Sequence, residues 1–137
     1  MNHKEKNSLE KLVPKIIRQF PNLLAIYIHG SRAQGQASQD SDLDLALLAS
    51  NELPARQLWE TAQQLASRLG MEVDLLDLRQ ASTVMQMQVI TRGQRLYCQD
   101  ESACGAFEDL VFSMYARLNE ERAGILQDIA QRGSIHG

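Results

Sequence analysis

A Gly-Ser pair, ten intervening residues and an Asp-x-Asp triplet, Gly30-Ser31-x10-Asp42-x-Asp44, are the residues of this chain best suited to chemistry. Side chains alternate faces along an extended strand, so Asp42 and Asp44 project to the same side with Cα atoms about 6.5–7 Å apart. Two carboxylates at that separation repel by about 2–3 kcal/mol at an effective dielectric near 20. A bound cation, or protonation of one of the pair, relieves this. Oxygen-only ligands suit Mg²⁺, which keeps several waters and shares its site with substrate phosphates. Gly30 lets the backbone approach a phosphate closely, and Ser31 offers a hydroxyl together with backbone N–H donors. Arg32 either adds positive charge there or sits in solvent.

A third carboxylate is available downstream. Strand alternation over 72–78 puts Asp74 on one face and Asp77 on the other. Asp74 lies in an otherwise apolar stretch, where an ionised carboxylate is costly unless paired or metal-bound. It is therefore the expected partner of Asp42 and Asp44, and Asp77 the less expected one. Nucleotidyl transfer depends mainly on charge stabilisation and in-line positioning, which paired metals supply to the attacking and leaving oxygens. At average residue frequencies the four fixed residues arise by chance in roughly one chain in a thousand of this length. The spacing is therefore informative.

These groups need a scaffold, and the hydrophobic periodicity describes one. Leu9, Leu12, Val13, Ile16, Ile17 and Phe20 recur on a 3.6-residue period and predict a helix over 8–20, with Pro14 forcing a kink or a later start. Residues 23–29 read as a buried strand, 30–41 as a loop and 42–48 as a second strand. Residues 53–69 form an amphipathic helix with Gly70 placed as its C-cap, and Trp59 is expected to pack at the edge of its apolar stripe. A third strand over 72–78, a helix over 82–92 capped by Ser82 and a short strand over 95–98 follow. From Glu101 a long helix carries Phe107, Val111, Met114, Tyr115, Leu118, Arg122, Ile125, Leu126 and Ile129 on one face. That stripe is expected to pack mostly on the sheet, yet a helix of about 30 residues spans ~45 Å, more than so small a domain covers. Part of it is thus a candidate interaction surface for a partner or a second copy. The final RGSIHG is expected to fray. The order α-β-β-α-β-α-β-α predicts an α/β (α+β) fold with one mixed sheet of about four strands flanked by helices.

The 137 residues suit a single domain over 1–137, with a core at about 8–98 and the C-terminal helix at about 101–131. A hydrophobic share of 44% and a charged share of 23% are those of an ordinary globular protein. The net charge of −3 gives no general attraction to nucleic acid or anionic membrane, so direct nucleic-acid binding is not expected. The N-terminus lacks a signal-peptide core, and no apolar run approaches the roughly 20 residues that span a bilayer. Cys98 and Cys104 form neither a metal-type cluster nor a disulfide framework. A cytoplasmic location is expected. Among the remaining groups, His29 is read as structural or nucleotide-contacting, and Arg92 and Arg95 as phosphate-reaching or superficial.

The motif Gly30-Ser31-x10-Asp42-x-Asp44 resembles the signature of the polymerase-β-type nucleotidyltransferase superfamily, and residues 24–78 resemble its minimal, MNT-domain members. The stretch Tyr115-Ala116-Arg117-Leu118-Asn119-Glu120-Glu121-Arg122 is similar to a subgroup of MntA-like antitoxins paired with HEPN-domain (HepT-like) toxins. The resemblance implies an Mg²⁺-dependent adenylyltransferase that uses ATP and two metal positions held by Asp42, Asp44 and Asp74. It also implies that Gly30 and Ser31, with Arg32, bind the triphosphate, and that Asp74 helps deprotonate the acceptor. In the antitoxin subgroup the implied acceptor is a tyrosine hydroxyl of the HEPN ribonuclease toxin, inactivated by AMPylation in a type VII-like toxin–antitoxin pair. The alternatives are transfer to a small-molecule hydroxyl, as in aminoglycoside nucleotidyltransferases, and a non-catalytic antitoxin that acts by binding.

Overall fold

A computed structural model describes residues 3–35 and 42–136. The chain opens with α1 (His3–Glu10) and α2 (Val13–Gln19) in place of one helix over 8–20. Pro14 explains the break, because its ring clashes with the carbonyl four residues back and its missing N–H is harmless only in a first turn. It accordingly stands in the first turn of α2. Leu9, Leu12, Ile16 and Phe20 remain buried across the break.

The strands β1 (Leu23–His29), β2 (Leu43–Ala49), β3 (Val73–Asp77) and β4 (Gln94–Cys98) form one sheet in the order β3-β2-β1-β4. The β1–β2 and β1–β4 pairs are antiparallel, whereas β2–β3 is parallel and is bridged by α3 (Ala55–Leu69). This is the mixed four-stranded sheet expected. The loop assigned to 30–41 is seen as hydrogen-bonded turns over 31–35, and residues 36–41 lie outside the described residues. Gly70 ends α3 with φ +69°, and its N–H donates to the Ala66 carbonyl at 2.8 Å.

Period-two alternation divides the sheet into two faces. Ile26, Ile28, Leu43, Leu45, Leu47, Val73 and Leu75 pack against Leu9, Ile16, Ala62 and Leu65 of the first three helices and against Phe20 at the C-cap of α2. Ala25, Tyr27, Ala46 and Leu48 pack instead under Val89, Cys104, Phe107 and Val111. These last belong to α4 (Thr83–Arg92) and α5 (Glu101–His136). Ser82 caps α4 as expected, its Oγ accepting the Met85 N–H at 3.1 Å. Tyr27 donates its hydroxyl to Glu108 at 2.8 Å and so ties β1 to α5.

Three expectations need correction. Trp59 is 64% exposed, because the buried stripe of α3 runs through Thr61, Ala62 and Leu65 and the indole falls outside it. The carboxylate enclosed by β3 is Asp77, which accepts the Leu53 N–H at 2.9 Å, whereas Asp74 is exposed. The apolar neighbours of Asp74 in the sequence cover the opposite face of the strand. Lastly, α5 does not lie mostly on the sheet. Cys104, Phe107 and Val111 are buried, but Ile125, Leu126 and Ile129 are 60%, 67% and 59% exposed. At 1.5 Å per residue its 36 residues reach ~54 Å, so the helix outruns the sheet. It stays helical to His136, through the segment expected to fray. Among the described residues no helix is long and apolar enough to cross a membrane.

The junction from α4 into β4 is the tightest backbone approach. A Cβ on Gly93 would meet the Val89 carbonyl oxygen within clash distance and lie 2.7 Å from the Ile28 carbonyl oxygen. Gly105 in α5 has nothing within 4 Å of the same point. In urea denaturation, Gly93→Ala should lower stability by about 1–3 kcal/mol through backbone overpacking. Gly105→Ala should raise it by about 0.5–1 kcal/mol through helix propensity. Equal effects at the two positions would contradict this packing.

Candidate active site

Sheet register assembles the site. His29 of β1 stands opposite Asp44 of β2, and Asp44 stands opposite Asp74 of β3. Alternation places all three on the face shared with α4 and α5, at the edge where those helices leave the sheet open. Asp42 lies one residue ahead of β2 and is exposed, while Asp44 is half-buried. Burial pushes the Asp44 carboxyl above its ordinary range, with Asp74 and Asp42 reinforcing the shift and His29 opposing it. Burial also pushes the His29 imidazole down, against the pull of Asp44 and Asp74. The Nε2 of His29 is buried without a hydrogen-bond partner among the described residues.

The turn after β1 is built around this row. Gly30 has φ +74°, and a Cβ there would fall 2.5 Å from the Asp44 Oδ2. Glycine is required on both counts, since a side chain would be strained and would displace the carboxylate. Gly35 N–H donates to the Arg32 carbonyl at 3.3 Å, and Gln94 Nε2 donates to the Ala33 carbonyl at 2.7 Å, anchoring the turn to β4. Arg32 is buried and braces this region. Its Nε donates to the Asp42 carbonyl at 3.2 Å and its Nη1 to Glu5 at 2.9 Å. It thereby joins the two ends of the ten-residue loop, and it does not line the adjoining cleft. Ser31 is half-buried within the turn.

That cleft has a volume of about 360 Å³. Its floor is His29, Asp44 and Asp74; one wall is Gly30 and Gln34, and the other is Met85, Gln88, Val89, Arg92 and Gly93. Sequence reading weighed Arg92 but missed Gln34, Met85 and Gln88. Met85, Gln88, Val89 and Arg92 recur at i, i+3, i+4 and i+7, a helical face that had been assigned no task. A larger groove of about 760 Å³ lies between α2 and α3, on the other side of the sheet. It is lined by Lys15, Arg18, Arg68 and neutral residues and holds no carboxylate, so the chemistry belongs to the smaller cleft. Arg95, the other flanking arginine, is engaged with Glu101 at 2.8 Å.

Among the described residues, no three acidic, histidine or cysteine side chains form a ready-made metal cage. The donor set nevertheless fits Mg²⁺. It is a row of carboxylates, the half-buried member raised in pKa, beside a glycine turn that leaves room for phosphate oxygens to complete the coordination.

Comparison with known proteins agrees with this geometry. The profile of the family described as "Polymerase beta, Nucleotidyltransferase" matches residues 10–102. The chain is 42% identical over 123 residues to "Protein adenylyltransferase MntA" of Shewanella oneidensis, covering 88% of this chain and 86% of that protein. It superposes with a TM-score of 0.77 on a chain of the crystal structure of a toxin–antitoxin with AMP-PNP, at 41% identity, covering 88% of this chain and 97% of that one. A chain from the complex of tri-AMPylated Shewanella oneidensis HEPN toxin with MNT antitoxin gives a TM-score of 0.74 at 38% identity, covering 90% and 98%. With the glycine turn, the carboxylate row and the mixed sheet all in place, the chain belongs to the polymerase-β nucleotidyltransferase family.

Proposed function

We propose that this chain is a cytosolic protein adenylyltransferase that serves as the antitoxin of a HEPN ribonuclease toxin, transferring AMP from ATP to a tyrosine hydroxyl of that toxin. The observation that carries this reading is Gly30 seated against Asp44, in register with Asp74, in a chain 42% identical to a protein adenylyltransferase. The thiols of Cys98 and Cys104 are free, in keeping with a reducing compartment.

In this mechanism the backbone N–H groups of the Gly30–Ser31 turn bind the β- and γ-phosphates. Asp42, Asp44 and Asp74 would hold Mg²⁺, in two positions, together with triphosphate oxygens. When bound, Mg²⁺ neutralises charge on the triphosphate and on the leaving pyrophosphate. Arg32 keeps Asp42 and the turn in fixed relation through its bond to the Asp42 carbonyl. The acceptor oxygen forms a bond to the α-phosphorus as the bond from that phosphorus to the bridging oxygen breaks, releasing pyrophosphate. Asp74, exposed at the cleft, takes the acceptor proton. The apolar stripe left bare on distal α5 supports docking of the toxin there. This would add binding to catalysis.

With α-labelled ATP, Mg²⁺ and the partner toxin, label should appear on the toxin. It should fall by roughly 100-fold or more with Asp42→Ala/Asp44→Ala and vanish on chelation of the metal. No label with the wild-type chain would sink the transferase reading and leave a binding antitoxin. Gly30→Ala should weaken nucleotide binding as well as transfer, because it both strains the turn and displaces Asp44; unchanged affinity by calorimetry would refute that coupling. Ile125→Glu with Ile129→Glu should weaken toxin binding at least ~10-fold, for two buried aliphatic contacts at about 1.5–3 kcal/mol each. Unaltered affinity in a pull-down titration would place the docking surface elsewhere.

A further inference from the structure

The root of α5 holds two thiols that the mechanism above does not use. Cys98 ends β4, and Cys104 lies in the opening turn of α5. Asp100 fixes the bend between them. Its Oδ1 accepts the Ser102 N–H at 3.0 Å, and its carbonyl accepts the Cys104 N–H at 3.0 Å. The sulfurs are thereby brought to 2.9 Å, with the Cys98 thiol donating to Cys104 Sγ. A disulfide is about 2.05 Å long, so they need to close by only about 1 Å. Their surroundings differ. Cys98 is half-buried, whereas Cys104 is fully enclosed, its thiol facing the Leu24 carbonyl at 3.6 Å. Burial and the contact with Cys98 push the Cys104 thiol up to about 12, so it stays protonated. Arg95, held by Glu101 at 2.8 Å, sets a fixed positive charge within electrostatic reach of both sulfurs.

We propose that Cys98 and Cys104 are a reversible redox-modification site, which a peroxide converts into an intramolecular disulfide that fastens α5 to β4. The inference goes beyond the adenylyltransferase reading and does not depend on it. Cys98, the accessible sulfur, reacts first as its thiolate, the nucleophilic form. It attacks one peroxide oxygen: an S–O bond forms, the O–O bond breaks, and hydroxide leaves and is protonated to water. Cys98 is then a sulfenic acid. Cys104 attacks that sulfur: the S–S bond forms, the S–O bond breaks, and the departing hydroxide takes the Cys104 proton as water. In sum, the two thiols lose two electrons and two protons, and the peroxide is reduced to water. A dithiol reductant reverses the change by thiol–disulfide exchange. Such reversible bridges are the kind a reducing compartment permits. Until the bridge forms, only non-covalent ties hold this junction, among them Arg95 to Glu101 and Tyr27 to Glu108 at 2.8 Å. The disulfide adds a covalent one at the base of the helix whose far end is bare.

The test treats the reduced full chain with hydrogen peroxide and follows intact mass, free thiols and melting. The mass should fall by about 2 Da as both thiols disappear together, and dithiothreitol should restore them. On a non-reducing denaturing gel the product should run as a single chain. Closing the short 98–104 loop should raise Tm by roughly 5–10 °C. Cys104→Ala should stop at a Cys98 sulfenic acid that dimedone traps. Cys98→Ser, altered at the half-buried position, should leave Cys104 unreacted under the same treatment, because that sulfur is enclosed. Thiols that persist, a gain of about 32 Da without the bridge, or a disulfide between two chains would each overturn the assignment. A bridged chain with unchanged Tm would overturn the fastening of α5. The wild-type measurements decide the matter even where a variant fails to fold.

Discussion

Neighbouring strands lie about 4.8 Å apart, so the register that pairs Asp44 with Asp74 sets two carboxylates side by side on one face of the sheet. Like charges directly opposite one another destabilise a sheet, and burial of Asp44 adds to the cost. The fold tolerates this because the rest of β1–β3 is almost wholly apolar and buried. The site is thus a local weakness held in place by a strong neighbourhood. A cation bound beside these carboxylates would relieve it.

The two ends of the central strands are used differently. At the head of β2 and β3 the exposed face carries Asp42, Asp44 and Asp74. Toward their tails, on the opposite face, Asp77 is turned inward and closes the Leu53 backbone. The chain thus uses one type of side chain for two purposes, and the face of the strand decides which. Arg32 follows the same logic. Lying next to the Gly30 turn, it is drawn inward to Glu5 and the Asp42 carbonyl and acts on the site through geometry.

The C-terminal helix shows where the core runs out. Its apolar stripe keeps one face from Cys104 to Ile129, but the sheet beneath it ends near Val111. Beyond that point the stripe has nothing of this chain to cover it among the described residues. Chains similar to this one are seen in toxin–antitoxin complexes.

Periodicity alone was enough to place the four strands, the helices after them and the Gly70 cap, because those depend on residue types repeated at local spacing. The spacing of Gly30-Ser31 and Asp42-x-Asp44 was likewise legible, since a turn and one strand bring them together. Pro14 announced a break whose position the covalent geometry of its ring determined. What lay beyond the sequence depended on which surfaces meet. That Asp74 is open and Asp77 enclosed, that Arg32 braces rather than lines the cleft, and that Trp59 and distal α5 are bare follow from partners distant in the chain. The α4 wall was hidden for the same reason. Its residues repeat at ordinary helical spacing, and only the register of β1, β2 and β3 decides that this face looks onto the carboxylates.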